Sequence, residues 1–192
     1  MLPLFIDVSR IRLALAGNGR AALKRLRLLE EAGAEDLAVY AAAPVPELAE
    51  AAGERLARRW PTPIELARSQ LVFIADPPST IRAGLAEAAR AVGVLVHVED
   101  APALSDAAAA AVLRRGELTV AVSTGGASPA LAVQLRDFLG DVFGPEWHDR
   151  LELLSRQRRA WRDAGIAPER IADLTEEWVS RHGWLVRSAA SA

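Results

Sequence analysis

Leu13-Ala-Leu-Ala-Gly17-Asn18-Gly19-Arg20-Ala21-Ala22 opens the stretch whose reading decides the fold. A helical run follows, Leu23-Lys-Arg-Leu-Arg-Leu-Leu-Glu-Glu-Ala32, then Gly33, then a second apolar run, Leu37-Ala-Val-Tyr-Ala41. Strand, glycine turn, helix and strand within about thirty residues is the length of a dinucleotide-binding βαβ unit. Gly17 permits a tight turn off the strand, and Gly19 lets the backbone come close to a pyrophosphate. Ala22 is small enough for the helix to pack closely on the strand. The phosphates would then lie over free N–H groups at the helix N-terminus. An ordinary βα turn is the alternative reading of the same residues.

The rest of the chain narrows the choice. Its 192 residues suit one large domain, or a medium domain with an appendage, and 51% are apolar, enough for a proper core. A formal charge of −2 argues against a nucleic-acid-binding protein in bulk. With no cysteine, disulfides, thiolate metal sites and cysteine nucleophiles are excluded. Metal chemistry would fall to carboxylates or to His97, His148 and His182. The Met1–Asp7 segment lacks a basic region and is no secretory signal, and no stretch is long enough to cross a bilayer. A cytoplasmic protein without membrane partners is the expectation.

Taken in order, helix one is expected from about Arg20 to Ala32, with Leu23, Leu26, Leu28 and Leu29 on the sheet and Lys24, Arg25 and Arg27 outward. No acidic residue follows the strand at Ala42-Ala43, where an NAD-binding unit often holds the ribose. Pro46–Arg59 reads as a helix, Leu71–Ala75 as a buried parallel strand, Ile81–Val92 as a helix and Val94–Val98 as a strand. Ala107–Ala111 reads as helical filler and Leu118–Val122 as a fifth strand. Ser128 as N-cap and Pro129 at the first helical position start a helix reaching about Leu139. Beyond Glu146 the pattern is helical, with Trp147, Trp161, Trp178 and Trp184 as packing anchors. The fold class is therefore α/β, a Rossmann-like doubly wound parallel sheet to about residue 112, followed by a smaller, mainly helical region.

These residues also carry a family likeness. Leu2-Pro-Leu-Phe5, the Gly17–Ala22 turn, Val98-Glu-Asp100-Ala-Pro102 and Arg114-Arg-Gly-Glu-Leu-Thr-Val-Ala-Val-Ser123-Thr-Gly-Gly-Ala-Ser128-Pro-Ala-Leu-Ala132 occur in order. The chain over about residues 1–140 resembles the precorrin-2 dehydrogenase / sirohydrochlorin ferrochelatase family, the module also found at the N-terminus of siroheme synthase. The resemblance implies a homodimer, with an NAD domain over 1–112, a dimerisation region over 113–145 and a helical region over 146–192. It implies NAD-dependent oxidation of precorrin-2 to sirohydrochlorin, followed in some members by Fe²⁺ insertion. Asp100 falls on the aspartate the family uses for catalysis. Arg20, Ala21, Ala42 and Ala43 fall on segments lining the NAD site, together with Gly17, Asn18, Gly19 and Ala22 of the turn.

Physical chemistry supplies roles and their bland counterparts. Asp100 just past a strand end could take the proton released in the oxidation, or it could be a loop aspartate bonded to backbone N–H groups. His97 is a candidate metal-handling side chain, as is Asp100, or a packed histidine; Asp106 is equally ambiguous. Ser123, Thr124, Gly125, Gly126 and Ser128 offer hydroxyls and N–H donors at a helix N-terminus, suited to substrate carboxylates, with Arg114 and Arg115 as helpers. A capped turn with two solvated arginines is the counterpart. The cluster Arg156, Arg158, Arg159 and Arg162 around Trp161 reads as a solvated helix face rather than an RNA contact.

Two departures from the family pattern stand out. Asp76-Pro77-Pro78 replaces a Thr-Asp-Asp loop beside the cofactor, and Ala107–Ala111 replaces a bulky wall segment. They keep a second reading open, a non-catalytic relative that binds a tetrapyrrole, metal or nucleotide as carrier, sensor or scaffold. An Asp76–Pro78 loop or an Arg20 side chain filling the nucleotide cleft would favour that second reading.

Overall fold

The structure, a computed structural model, describes residues 1–185. It divides into two compact units, Met1–Ala109 and Ala110–Ala192. The first unit carries five parallel strands, β1 (Leu13–Ala16), β2 (Leu37–Tyr40), β3 (Leu56–Ala57), β4 (Leu71–Ile74) and β5 (Leu95–Val98), in the order β3-β2-β1-β4-β5. Its helices are α1 (Arg20–Glu31), α2 (Pro46–Ala52), α3 (Pro63–Leu66) and α4 (Ser79–Ala91). The strands are apolar on both faces because helices cover both. Leu13, Leu15, Val39 and Phe73 pack with Ala22, Leu26, Leu29 and Leu48 of α1 and α2. Ala14, Ala16, Val72, Ile74 and Val96 pack with Leu66, Leu85, Ala86 and Ala89 of α3 and α4. The strand order reverses between β1 and β4, the position at which open α/β sheets bind ligands beyond their strand ends.

Several elements differ from the sequence reading. The helix from Pro46 stops at Ala52, because Gly53 adopts a φ of 54° that turns the chain out. The chain then runs through β3, so the fifth strand of this sheet is Leu56–Ala57 and not Leu118–Val122. α3 is an unexpected helix with a legible signal, since Thr62 and Glu65 form a reciprocal capping box. Ala107–Ala111 is not helical: five alanines are too short to nucleate a helix, and the Asp106 and Ala107 N–H groups both donate to the Val96 carbonyl, holding the segment against β5. On α1, Leu28 is exposed and Arg25 is drawn inward, the reverse of the expected faces.

In the second unit, β6 (Ala111–Arg115) and β7 (Leu118–Val122) form an antiparallel hairpin turning at Gly116, whose φ is 58°. The boundary between the two compact units falls at 109/110, ahead of β6. α5 (Pro129–Val142) packs on the hairpin, and α6 (Trp147–Asp163) packs on α7 (Pro168–Arg181). Edge-on contacts between Trp147 and Trp184 and between Trp161 and Trp178 give the helical part its aromatic anchors. The last seven residues of the expected helical region, 186–192, lie outside the described residues.

Candidate functional site at the carboxyl ends of β1, β4 and β5

Parallel register between β1 and β4 sets Ala16 beside Ile74, which brings Gly17 against Ala75 and Asn18 towards Asp76. Gly17 has no room for a side chain: a Cβ there would run into the Ala75 carbonyl and stand 2.9 Å from the Ala22 Cβ. Its N–H donates to Tyr40 O at 3.0 Å, so the turn is locked to β2 as well. Ala22 is fully buried, as close helix–strand packing requires.

The free N–H groups of this turn converge on one anion. Asn18 N–H and Gly19 N–H donate to Asp76 Oδ1 at 3.2 and 3.0 Å, and Ala21 N–H donates to Oδ2 at 2.9 Å. A Cβ on Gly19 would stand 2.7 Å from Asp76 Oδ2. The bound carboxylate demonstrates that the cradle accepts an anion, aided by the positive end of α1. The turn thus fits a pyrophosphate, but it does so at donors that the chain itself occupies here. Asn18 also ties the turn to the loop after β2. Its side-chain oxygen accepts from Ala43 N–H at 3.1 Å, and its carbonyl accepts from Val45 N–H at 2.8 Å. Ala42 and Ala43 are exposed on that loop, and Arg20 lines a shallow groove of about 370 Å³ with Leu23, Lys24, Arg27 and Glu47.

The end of β5 holds two adjacent carboxylates in opposite circumstances. Glu99 receives the Arg25 Nε–H at 2.8 Å and a second Arg25 nitrogen, and His97 lies 3.7 Å away. Burial alone would raise the Glu99 carboxyl, but His97 and the Arg25 charge override it and hold it at about 2. Asp100, next in the chain, is exposed, has a left-handed φ of 55° and makes no ion pair among the described residues. His97 is buried near the end of β5. Its Nδ1–H donates to Ala107 O at 3.0 Å, and Nε2 lies 3.5 Å from an Arg25 nitrogen that repels cations. The described residues contain no group of three His, Asp or Glu able to hold a metal ion. Asp106 is structural, pairing with Arg90 at 2.9 Å and accepting the Val96 N–H.

In the second unit the Ser123–Ser128 turn is held by its own hydroxyls. Thr124 Oγ1 donates to Ser128 O and accepts from Ser128 N–H, and Ser123 Oγ accepts from Gly125 N–H. Ser128 Oγ accepts from Leu131 N–H at 3.2 Å as the expected N-cap of α5. Gly125 and Gly126 take φ of 64° and 89° and are exposed with Ser123. Arg115 does not serve as a free helper. Its Nε–H donates to Phe143 O at 2.9 Å and its other nitrogens reach Gly140 and Arg114 carbonyls, clasping the C-terminal end of α5. Arg114 is exposed.

The sequence pointed to the Asp76–Pro78 loop as a segment that could fill the nucleotide cleft, but not to the hydrogen bonds from the turn to its carboxylate. Sequence reasoning also missed the Arg25–Glu99 pair, because 74 residues separate the two.

A doubly wound parallel sheet with a glycine-turn anion cradle at its switch point defines a dinucleotide-binding protein of the Rossmann class. Residues 4–111 match the family described as "Putative NAD(P)-binding", and residues 115–141 match that described as "Sirohaem biosynthesis protein central". The chain belongs to this NAD(P)-binding family. It is 37% identical to the siroheme synthase of Methylococcus capsulatus over 70% of this chain and 29% of that one. It is 33% identical to siroheme synthase 2 of Aeromonas salmonicida over 96% of this chain and 42% of that one. The chain thus spans less than half the length of these relatives. The solved structure of SirC, a precorrin-2 dehydrogenase, superposes with a TM-score of 0.73 at 18% identity, covering 96% of this chain and 92% of that one, and shares its fold.

Proposed function

We propose that the protein oxidises precorrin-2 to sirohydrochlorin with NAD⁺, in the cytoplasm, as a step of siroheme biosynthesis. The observation that carries this reading is Asp100. An exposed carboxylate on left-handed backbone lies two residues past the end of β5, while its neighbour Glu99 is engaged in an ion pair with Arg25. The oxidation removes a hydride and a proton from the reduced tetrapyrrole. Nicotinamide supplies the hydride acceptor when bound. Asp100 takes the proton, and the Gly17–Ala22 turn, with Asn18 bracing Ala43, holds the cofactor's phosphates and frames its ribose. In the second unit, the exposed Ser123–Gly126 turn and Arg114 offer donors suited to carboxylates. Fe²⁺ insertion, where it occurs, would use Asp100 as the group that accepts displaced pyrrole protons.

Homodimer formation through residues 113–145 is part of the same reading. Leu131, Leu135, Phe138 and Val142 form an exposed apolar stripe along α5 at helical spacing. Among the described residues of the second unit only Leu113, Ala132 and Ile171 are buried, a thin core that a second copy would complete.

Purified protein incubated with precorrin-2 and NAD⁺ should release NADH, and Asp100→Asn should slow turnover by about 100-fold or more. Asparagine tolerates the left-handed backbone, so this variant keeps the fold. Equal turnover in the variant, or none in the wild type, overturns the assignment.

A second reading, the non-catalytic relative, is favoured by one observation. Asp76 fills the donors of the turn, as an occupied nucleotide cleft would. Failure of the wild type and of Asp76 variants to bind either NAD⁺ or NADP⁺ would select it.

A further inference from the structure

We propose that the Asp76 carboxylate is a built-in occupant of the phosphate cradle, so that a dinucleotide binds only by displacing it. This role rests on the nicotinamide-cofactor reading. Three backbone N–H groups, those of Asn18, Gly19 and Ala21, point at the two Asp76 oxygens at 2.9 to 3.2 Å. A pyrophosphate at the N-terminus of α1 needs the same donors. Two anions cannot share them, because their repulsion at contact distance outweighs what a divided set of hydrogen bonds returns.

The surroundings decide how the occupant leaves. Asp76 holds a φ of 47°, in the left-handed region that aspartate enters more readily than most residues with a Cβ. Pro77 is buried and Pro78 caps α4, so the backbone on that side is fixed. Asp76 itself is only partly buried, which leaves its side chain free to rotate towards solvent without moving the loop. Gly19 fits the same picture, since a Cβ there would stand against Asp76 Oδ2. Its lack of a side chain serves the internal carboxylate as well as any external phosphate. The consequence is a raised dissociation constant for every phosphate-bearing ligand of this turn.

Calorimetric titration of NAD⁺ and NADP⁺ into wild type, Asp76→Ala and Asp76→Asn tests the proposal, with inorganic pyrophosphate as a separate probe read by thermal melting. Asp76→Ala should bind the preferred dinucleotide about tenfold or more tightly than wild type. Pyrophosphate should raise the melting temperature of Asp76→Ala and leave that of wild type unmoved. Equal or weaker dinucleotide binding in the variants shows that Asp76 merely braces the turn, which overturns the proposal while leaving the cofactor reading intact. If neither dinucleotide binds any of the three proteins, the cofactor reading fails and pyrophosphate alone decides the role of Asp76. Stabilisation of the variant alone supports it, and no difference overturns it. Should Asp76→Ala fail to fold, Asp76→Asn, which keeps the side-chain shape without the charge, is judged by the same measurements.

Discussion

The Arg25–Glu99 pair, with His97 beside it, joins the first helix to the end of the last strand of the sheet. The Arg25 guanidinium also lies 5.1 Å from the Phe73 ring centre, so it is held on two sides. Because the folded Glu99 carboxyl is held at about 2 against an ordinary 4.5, the pair contributes its full stability above pH 4.5. That contribution fades as pH falls through the folded value. Glu99→Gln should cost about 1–3 kcal/mol at neutral pH in denaturant melts. It should also flatten the loss of stability that wild type shows on acidification from pH 4.5 towards 2. An unchanged acid profile would mean that the pair contributes nothing. None of this was visible in the sequence, where Arg25 sits among Lys24, Arg27 and other solvated residues. A helical wheel assigns faces by hydrophobicity, and a partner 74 residues away does not alter the wheel.

At the scale of elements, the glycine turn was legible because its residues answer to local geometry. Gly17 is required by the Ala75 carbonyl and Ala22 by the packing of α1, both consequences of a strand followed at once by a helix. Gly17→Ala should therefore destabilise the protein by about 3 kcal/mol, or prevent folding, as read by chemical denaturation. A cost below about 1 kcal/mol would show that the turn relaxes. The strands of the main sheet were equally legible as continuous apolar runs, β3 excepted, since two residues carry no periodicity. Misreadings gathered where a local preference met a longer-range demand. Ala107–Ala111 has the composition of a helix, yet backbone bonds to Val96 hold its start against β5. Leu118–Val122 has the composition of a sheet strand, yet Gly116 returns the chain so that it pairs with its immediate predecessor.

Over the whole molecule, the two units differ in how well each buries its own apolar residues. The sheet unit has a layer of side chains on both faces, whereas α5 leaves a stripe in which Phe138 is 63% exposed. On the proposed homodimer, Phe138→Glu should convert the dimer into a monomer in sedimentation analysis, while the helical content of the chain is retained. A dimer that survives the substitution would place the interface elsewhere. Such a stripe could be seen in the sequence, but its exposure could not, because the same spacing also describes a helix packed on its own core. One further feature spans the chain. Among the described residues two that are not glycine have left-handed backbone, Asp76 and Asp100, and they follow the ends of the adjacent strands β4 and β5. Glycine adopts that conformation without strain, so at Asp100, which makes no ion pair among the described residues, stability alone favours glycine. Asp76 is different, because its three hydrogen bonds to the glycine turn reward the acid within the fold itself. A lineage that had lost its chemistry would therefore be expected to shed Asp100 early and to keep Asp76.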